Sequence, residues 1–127
     1  LAMVSDSDYT QILAAYEAQK AAEAQAKKEL STVSLRASST AGKGYIKITW
    51  TVSGAASSDV IDGYEVWKST KKSSGYSKSF TTVNKSYKNT AGLKKGTRYY
   101  YKVRAYQLVG EKKVYSDWST KAYRIAK

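Results

Sequence analysis

Residues 97–106 read TRYYYKVRAY, and this stretch decides the fold of the chain. Its odd-numbered positions from Tyr99 to Ala105 carry aromatic and aliphatic side chains, whereas its even-numbered positions carry Arg, Lys and Tyr. Successive side chains of a β-strand point to opposite faces. The pattern therefore predicts a strand with one buried face and one basic, aromatic face.

The same two-residue period recurs on both sides of this strand. It is strongest at 46–52, where aliphatic residues and Trp50 alternate with Lys and Thr. The chain has no Pro, so its turns rely on Gly, Ser, Asn and Asp. Together the segments predict an all-β fold, a seven-stranded antiparallel β-sandwich over residues 31–127. The other predicted strands are 33–35, 64–67, 77–83, 86–90 and 114–125, the last of them interrupted near Trp118.

Residues 1–30 form a separate N-terminal unit, a helix or linker, with the helix predicted over 8–30. Its many Ala residues favour a helix, and Asp8 with Gln11 has the spacing of a capping box. Such a helix either docks on something, such as a neighbouring module or chain, or acts as a stalk, and we favour the stalk. An apolar stripe with helical spacing covers its first two turns: Tyr9, Ile12, Leu13 and Tyr16.

The chain contains neither His nor Cys. Thiol nucleophiles, disulfides, imidazole bases and the common zinc ligands are therefore excluded. The acidic residues of the sandwich form no recognisable constellation, so we predict no catalytic residues, no cofactor and no enzymatic activity. Asp59 and Asp62 share a loop and offer oxygen ligands suited to calcium. Turn formation is the favoured role for both, and we predict no metal site.

The net charge of +12 is unevenly distributed. Residues 31–127 carry 19 Lys and Arg against 5 acids, a net charge of +14. Such a surface attracts anions, although a coat of Lys that only confers solubility has the same composition. No apolar run is long enough to cross a membrane, so no insertion is expected. The chain begins at Leu1, and we expect it to be a piece of a longer protein.

Three segments resemble the fibronectin type III family. They are IKITW at 46–50, DGYEVWKS at 62–69 and LKKGTRY at 93–99, where Lys95 replaces the usual Pro. The resemblance implies a core role for Trp50, and it implies that Leu93 and Tyr99 belong to a tyrosine corner. In that corner the Tyr hydroxyl ties back to the backbone of the preceding connection.

The Lys-rich loops and the Tyr-rich strand are most similar to repeats in cell-surface and secreted proteins of Gram-positive bacteria. The resemblance therefore implies an extracellular location in a multidomain protein. There the domain acts as a structural spacer or as an adhesive or carbohydrate-associated module.

A candidate ligand-binding face follows from the basic, aromatic side of the central strand. Aromatic rings stack on sugars or bases, and basic groups hold phosphates or carboxylates. The alternative is a cross-strand ladder in which Tyr and Lys side chains only cover the sheet. The residues of this face are Trp67, Tyr100, Lys102, Arg104 and Tyr106.

A second candidate site is the loop at Val109, Gly110, Glu111 and Lys112, at an end of the sandwich that often carries partner recognition in the family. The alternative is a plain hairpin turn. Two functions therefore compete for this chain: a non-catalytic spacer or adhesive module, and a binder of an anionic polymer or glycan. The expected partners are a cell-wall polymer such as teichoic acid, an acidic polysaccharide or another protein module. Nucleic acid is disfavoured because no nucleic-acid-binding signature appears.

Overall fold

The computed structural model describes residues 6–54 and 60–127, which form one helix and eight strands. The strands form an all-β sandwich of two antiparallel sheets, behind a single N-terminal helix. The bounds are α1 Asp6–Leu30, β1 Ser34–Gly42, β2 Tyr45–Ser53, β3 Gly63–Ser69, β4 Ser77–Thr82, β5 Ser86–Asn89, β6 Arg98–Val109, β7 Lys112–Tyr115 and β8 Ala122–Ile125.

The prediction of seven strands is corrected to eight, because the last predicted strand is split. Between β7 and β8 the Ser116 and Ser119 hydroxyls accept hydrogen bonds from the β6 backbone, from Ala105 N and Val103 N, each at 2.9 Å. Side-chain oxygens there replace the carbonyls of a regular ladder. The predicted interruption near Trp118 is therefore confirmed, and β7 and β8 both pair with β6.

The two sheets have the orders β1-β2-β5 and β4-β3-β6-β7, with β8 also beside β6. Their facing sides enclose a core that includes Val66, Tyr101 and Val103, all fully buried. Trp50 lies in this core and meets Tyr64 edge to face at 5.5 Å between ring centroids. The core role expected for Trp50 is therefore what the structure shows.

Strand β1 is longer than its sequence indicates. The predicted strand covered only 33–35, yet β1 pairs with β2 in unbroken register from Ser34 to Gly42. Its middle is rich in Ser and Thr and lacks an apolar alternation. Ser39 is nevertheless buried, and its hydroxyl donates to Tyr123 O at 2.9 Å.

The C-terminal half of helix α1 docks on the sandwich. Ala26 and Leu30 are buried in the same core as Val109 and Val114. Gln19 Nε2 donates to Val109 O at 2.7 Å. Asp6, the first residue that the structure describes, is already helical, so the predicted N-cap at Asp8 is wrong and Asp8 lies within the first turn.

The helix and the final strand lie at opposite ends of the sandwich. Strand β8 ends beside Arg98, which is the first residue of β6. Gln19 of the helix contacts Val109, which is the last residue of β6. A strand of this length spans roughly 36 Å. From Gln19 the helix runs on to Asp6, past the tip of the β6–β7 hairpin, for roughly 20 Å. Its first half is therefore an exposed arm that projects from this end of the sandwich.

Candidate functional site

The outward face of strands β3 and β6 holds the predicted ligand-binding residues. Backbone register places Trp67 opposite Lys102 on the neighbouring strand, and Glu65 opposite Arg104. Because Tyr101 and Val103 are buried in the core, Lys102 and Arg104 point to the other side of the sheet, as the sequence period predicted. The structure thus brings Trp67, Lys102 and Arg104 together.

These residues form an alternating stack of cations and rings, which we name the cation–aromatic ladder. The Arg104 guanidinium lies 3.6 Å from the ring centroid of Tyr115 and 4.5 Å from that of Trp118. Lys102 Nζ lies 4.0 Å from the Trp118 centroid and 4.4 Å from that of Tyr76. Contacts at these distances are attractive, because a ring face carries negative partial charge. The members are Tyr76, Lys102, Trp118, Arg104, Tyr115 and Trp67.

Glu65 lies beneath the ladder and is only 1% exposed. Its Oε1 accepts hydrogen bonds from Arg104 Nη2 at 3.0 Å and from Trp67 Nε1 at 3.1 Å. Its Oε2 accepts one from Lys113 Nζ at 3.0 Å. Burial alone would raise the pKa of Glu65, but the hydrogen bonds from Lys113, Trp67 and Arg104 outweigh it and lower the pKa to about 2. This carboxylate stays ionised and neutralises part of the ladder.

The two remaining predicted residues of the face have different surroundings. Tyr106 is only 9% exposed, because it packs against Gly63 and lies 4.4 Å beneath Lys113 Nζ. Tyr100 is half-buried at the other end of the strand, 5.7 Å from the ring of Tyr123. Tyr106 therefore offers little surface to a ligand. Whether the predicted face binds anything stays a prediction.

Several members of the ladder were missed by sequence reasoning. Glu65 could have been found, since it alternates with Tyr64 and Val66 on β3 and so shares the outward face with Trp67. Tyr115 could also have been found, since it follows the buried Val114 on β7 and so lies on the outward face opposite Tyr106. Trp118 could not be placed, because the two-residue period breaks in the segment between β7 and β8. Tyr76 precedes β4, where no pattern indicates its neighbours.

The second candidate site, at 109–112, is a two-residue hairpin turn held by the helix. Gly110 has a φ of 66°, a left-handed conformation that favours glycine. Lys112 Nζ lies 2.7 Å from Glu23 Oε1, and the Val109 carbonyl accepts from Gln19. The helix therefore covers one side of this loop, and binding by its four residues stays a prediction.

Asp62 has a structural role at the same end of the sandwich. Its Oδ2 accepts a hydrogen bond from Leu108 N at 2.6 Å, which is a long-range contact with strand β6 and not the local bond of a turn-forming Asp. Asp59, its proposed calcium-binding partner, lies outside the described residues. Within residues 6–54 and 60–127 no group of three or more His, Cys, Asp or Glu is placed to hold a metal ion.

The tyrosine corner is formed as the resemblance implied. The Tyr99 hydroxyl accepts a hydrogen bond from Lys94 N at 2.7 Å, and Tyr99 is buried. Leu93 is half-buried and packs against the core. The connection between β5 and β6 is thereby fastened to the start of β6.

The apolar stripe of the helix stays exposed on the projecting half. Its four side chains are between 41% and 61% exposed, and the packing of this stripe on a neighbouring module or chain stays a prediction. No helix among the residues that the structure describes has the length and apolar character needed to span a membrane. The residues of the stripe are Tyr9, Ile12, Leu13 and Tyr16.

Comparison with known proteins agrees with this geometry. The model of the fibronectin type III domain family matches residues 31–122. The chain therefore belongs to the fibronectin type III domain family, whose members are generally non-catalytic. A search of curated proteins found no match to this sequence.

Solved structures include similar domains from bacteria. A Fn3-like protein from Clostridium thermocellum is 28% identical, with a TM-score of 0.55, over 73% of this chain and 88% of that one. A beta-1,2-glucanase from Parabacteroides distasonis is 20% identical, with a TM-score of 0.56, and the match covers 73% of this chain but only 13% of the glucanase chain.

Titin contains a similar domain as well. Its A168-A170 segment is 19% identical, with a TM-score of 0.59, over 74% of this chain and 32% of that one. At this identity the likeness concerns the fold alone. The chain spans about an eighth of the glucanase and a third of the titin segment that it matches.

Proposed function

We propose that this chain is a non-catalytic spacer module of an extracellular multidomain bacterial protein, with helix α1 as a rigid arm. The family's common role as a structural or spacer module supports the proposal, as does the 28% identity to a bacterial Fn3-like protein. The observation that carries it is the clamp between the helix and the β6–β7 hairpin.

The clamp joins the helix to the sandwich at several points along its second half. Gln19 and Glu23 bind the hairpin on the surface, and Leu30 is buried in the core with no exposed area. A flexible linker would form no such contacts. Because these contacts anchor the helix, they fix its orientation relative to the sandwich. Its first half projects from the end of the sandwich that lies opposite β8. A spacer needs this property, because it must hold what lies at its two ends at a defined separation.

The ladder is consistent with a structural role. The ring faces of Trp118 and Tyr115 lie against Lys102 and Arg104 of the same chain, and Glu65 binds both Arg104 and Lys113. These contacts fasten β3, β6, β7 and the segment before β8 to one another. They cross-link neighbouring strands and so stiffen the larger sheet, as a spacer requires.

A distance measurement tests the rigid arm. The chain has no Cys, so the double substitution Ala14→Cys and Lys43→Cys introduces two unique labelling sites, on the exposed arm and at the opposite end. Pulsed electron spin resonance between two nitroxide labels should give one narrow distribution centred at roughly 40 Å.

The control is the same labelled pair with Gln19→Ala and Glu23→Ala, which removes the two surface contacts of the clamp. We expect the distribution to broaden in this variant. A distribution that is already broad in the parent chain would refute the rigid arm and with it the spacer proposal.

A further inference from the structure

The cations on the outward face of the β3–β6–β8 sheet are unevenly compensated. Glu65 forms ion pairs with Arg104 and Lys113, both at 3.0 Å. Lys102 and Lys121 lie on the same face and form no ion pair with any residue of the described part of the chain. One half of the face is therefore neutralised by a buried carboxylate, and the other half keeps its full positive charge.

The uncompensated half is centred on Tyr76. Lys102 Nζ lies 4.4 Å and Lys121 Nζ 6.0 Å from its ring centroid, so two like charges share one ring. Burial, and then the charges of Lys121 and Arg104, lower the pKa of Lys102. The ring contacts offset part of this repulsion, and an anion between the two ammonium groups would remove the rest.

The same half continues along β6 and β8 to a third cation. Arg98 lies with its guanidinium 5.3 Å from the ring centroid of Tyr123, which is 54% exposed. Tyr123 pairs across the strands with Tyr100, and this pair separates Arg98 from Lys102 by about 13 Å along the strand. We name this surface the cationic strip: Arg98, Tyr123, Tyr100, Lys102, Tyr76 and Lys121.

The geometry limits how the cationic strip can recognise a ligand. Lys102 and Lys121 both lie at the Tyr76 ring, and Arg98 lies over that of Tyr123, so a sugar or a base that stacked there would compete with a cation of the chain itself. Recognition then depends on charge, and cations at the two ends of the strip match an extended ligand with repeated anionic groups. A single-stranded nucleic acid binds best on free ring faces, and duplex-DNA binding that relies on charge is illustrated by proteins with about 6–10 phosphate contacts. Three cations on a flat strip fit neither.

We propose that the cationic strip binds an acidic polysaccharide through its carboxylate or sulfate groups. This activity is additional to the spacer role and does not depend on the rigid arm. It also places the anion-binding surface at Lys102 and Lys121, which form no ion pair within the described residues, rather than at Arg104, which pairs with Glu65, or at Tyr106, which is buried.

Binding isotherms of the full chain with three polymers test the proposal. The probes are polygalacturonate, which carries carboxylates, dextran sulfate, which carries sulfates, and neutral dextran. We expect both acidic polymers to bind and neutral dextran not to bind, with affinity falling steeply as salt rises. The acidic polymer that binds more tightly identifies the preferred anionic group.

Two matched double variants distinguish binding at the cationic strip from a general attraction of the basic protein to anionic polymers. Lys102→Gln with Lys121→Gln should weaken binding to the acidic polymers about tenfold. The control, Lys47→Gln with Lys88→Gln, removes a cross-strand Lys pair from the opposite sheet, where Lys88 Nζ likewise lies 4.3 Å from a tyrosine ring. It should weaken binding less than about twofold. If the double variant at the strip does not fold, the single variant Lys121→Gln replaces it in the comparison, because the Lys121 side chain is exposed.

Three results would overturn the proposal. One is that neither polygalacturonate nor dextran sulfate binds in low salt. Another is an equal loss of affinity in the two double variants, which would show a diffuse charge effect. The third is tighter binding of duplex DNA than of both polysaccharides, measured in the same buffer. The spin-label measurement on the arm is unaffected by any of these results.

Discussion

Glu65 accepts two hydrogen bonds on one carboxylate oxygen from Arg104, from Nε at 3.1 Å and from Nη2 at 3.0 Å. The two residues stand opposite each other on β3 and β6. The pair therefore joins the two central strands of the larger sheet on the side away from the core, where the Arg104 guanidinium lies 3.6 Å from the ring centroid of Tyr115.

The first prediction concerns the loss of this carboxylate charge. Glu65→Gln leaves the partly exposed Arg104 and Lys113 cations without the buried carboxylate that they share. Because both cations keep some contact with solvent, we expect a loss of about 2–3 kcal/mol in the free energy of unfolding, below the usual cost of breaking a fully buried pair. Urea denaturation followed by Trp fluorescence measures it. Glu111→Gln, at the exposed turn, is the matched control and should change stability by less than about 0.5 kcal/mol.

The second prediction concerns the loss of stability at low pH. The pKa of Glu65 is lowered from the ordinary value of 4.5 to about 2 in the folded protein. A depressed acid pKa contributes stability that is fully present above pH 4.5 and is lost as the pH falls towards 2. We expect this contribution to be on the order of 3 kcal/mol. Unfolding free energies measured from pH 5 to pH 2 should fall less steeply for Glu65→Gln than for the parent chain, and equal slopes would contradict the assignment.

The third prediction concerns the tyrosine corner. Tyr99→Phe removes the hydroxyl that accepts from Lys94 N and leaves that N–H without its partner. We expect a loss of about 1–2 kcal/mol in the free energy of unfolding. Thermal melting checks this, with Tyr123→Phe as the control, because the Tyr123 side chain is more than half exposed. If both variants melted alike, the hydroxyl would not be the element that fastens the β5–β6 connection.

The fourth prediction compares two leucines of the same helix. Leu30 is completely buried, whereas Leu13 is 41% exposed on the projecting arm. Leu30→Ala should cost about 2–5 kcal/mol through lost burial and the cavity that remains. Leu13→Ala should cost less than about 0.5 kcal/mol, since the change in helix propensity is small at both positions. Chemical denaturation of the two variants decides whether the helix belongs to the cooperative unit.

Much of the sandwich could be predicted because it depends on local pattern. The alternation at 97–106 and at 46–52 separates the buried from the outward side chains, and Tyr99 follows a motif with a fixed turn geometry. Strand β1 was underestimated because its middle is polar. The backbone pairing with β2 maintains that strand, and backbone hydrogen bonds do not require apolar side chains.

The candidate site was predicted less completely, for a physical reason. Sequence period assigned Trp67, Lys102 and Arg104 to one face, but the burial of Tyr106 depends on Lys113, which reaches it from β7. The position of Trp118 in the cation–aromatic ladder depends on an irregular segment, which the Ser116 and Ser119 hydroxyls hold against β6. Both facts follow from contacts between separate strands, which no local pattern encodes.

The strand at 97–106 shows which properties depend on the local sequence and which depend on tertiary packing. By itself the sequence determined that this strand exists, which of its faces is buried, and that its outward face is basic and aromatic, because these depend on the two-residue period of an extended backbone. The tertiary structure alone decided which cations on that face are compensated. Glu65, Lys113, Trp118 and Lys121 come from three other parts of the chain, and the charges and the Trp118 ring come together only after the strands have paired. For the same reason, packing decided that one half of the helix is anchored and the other half projects.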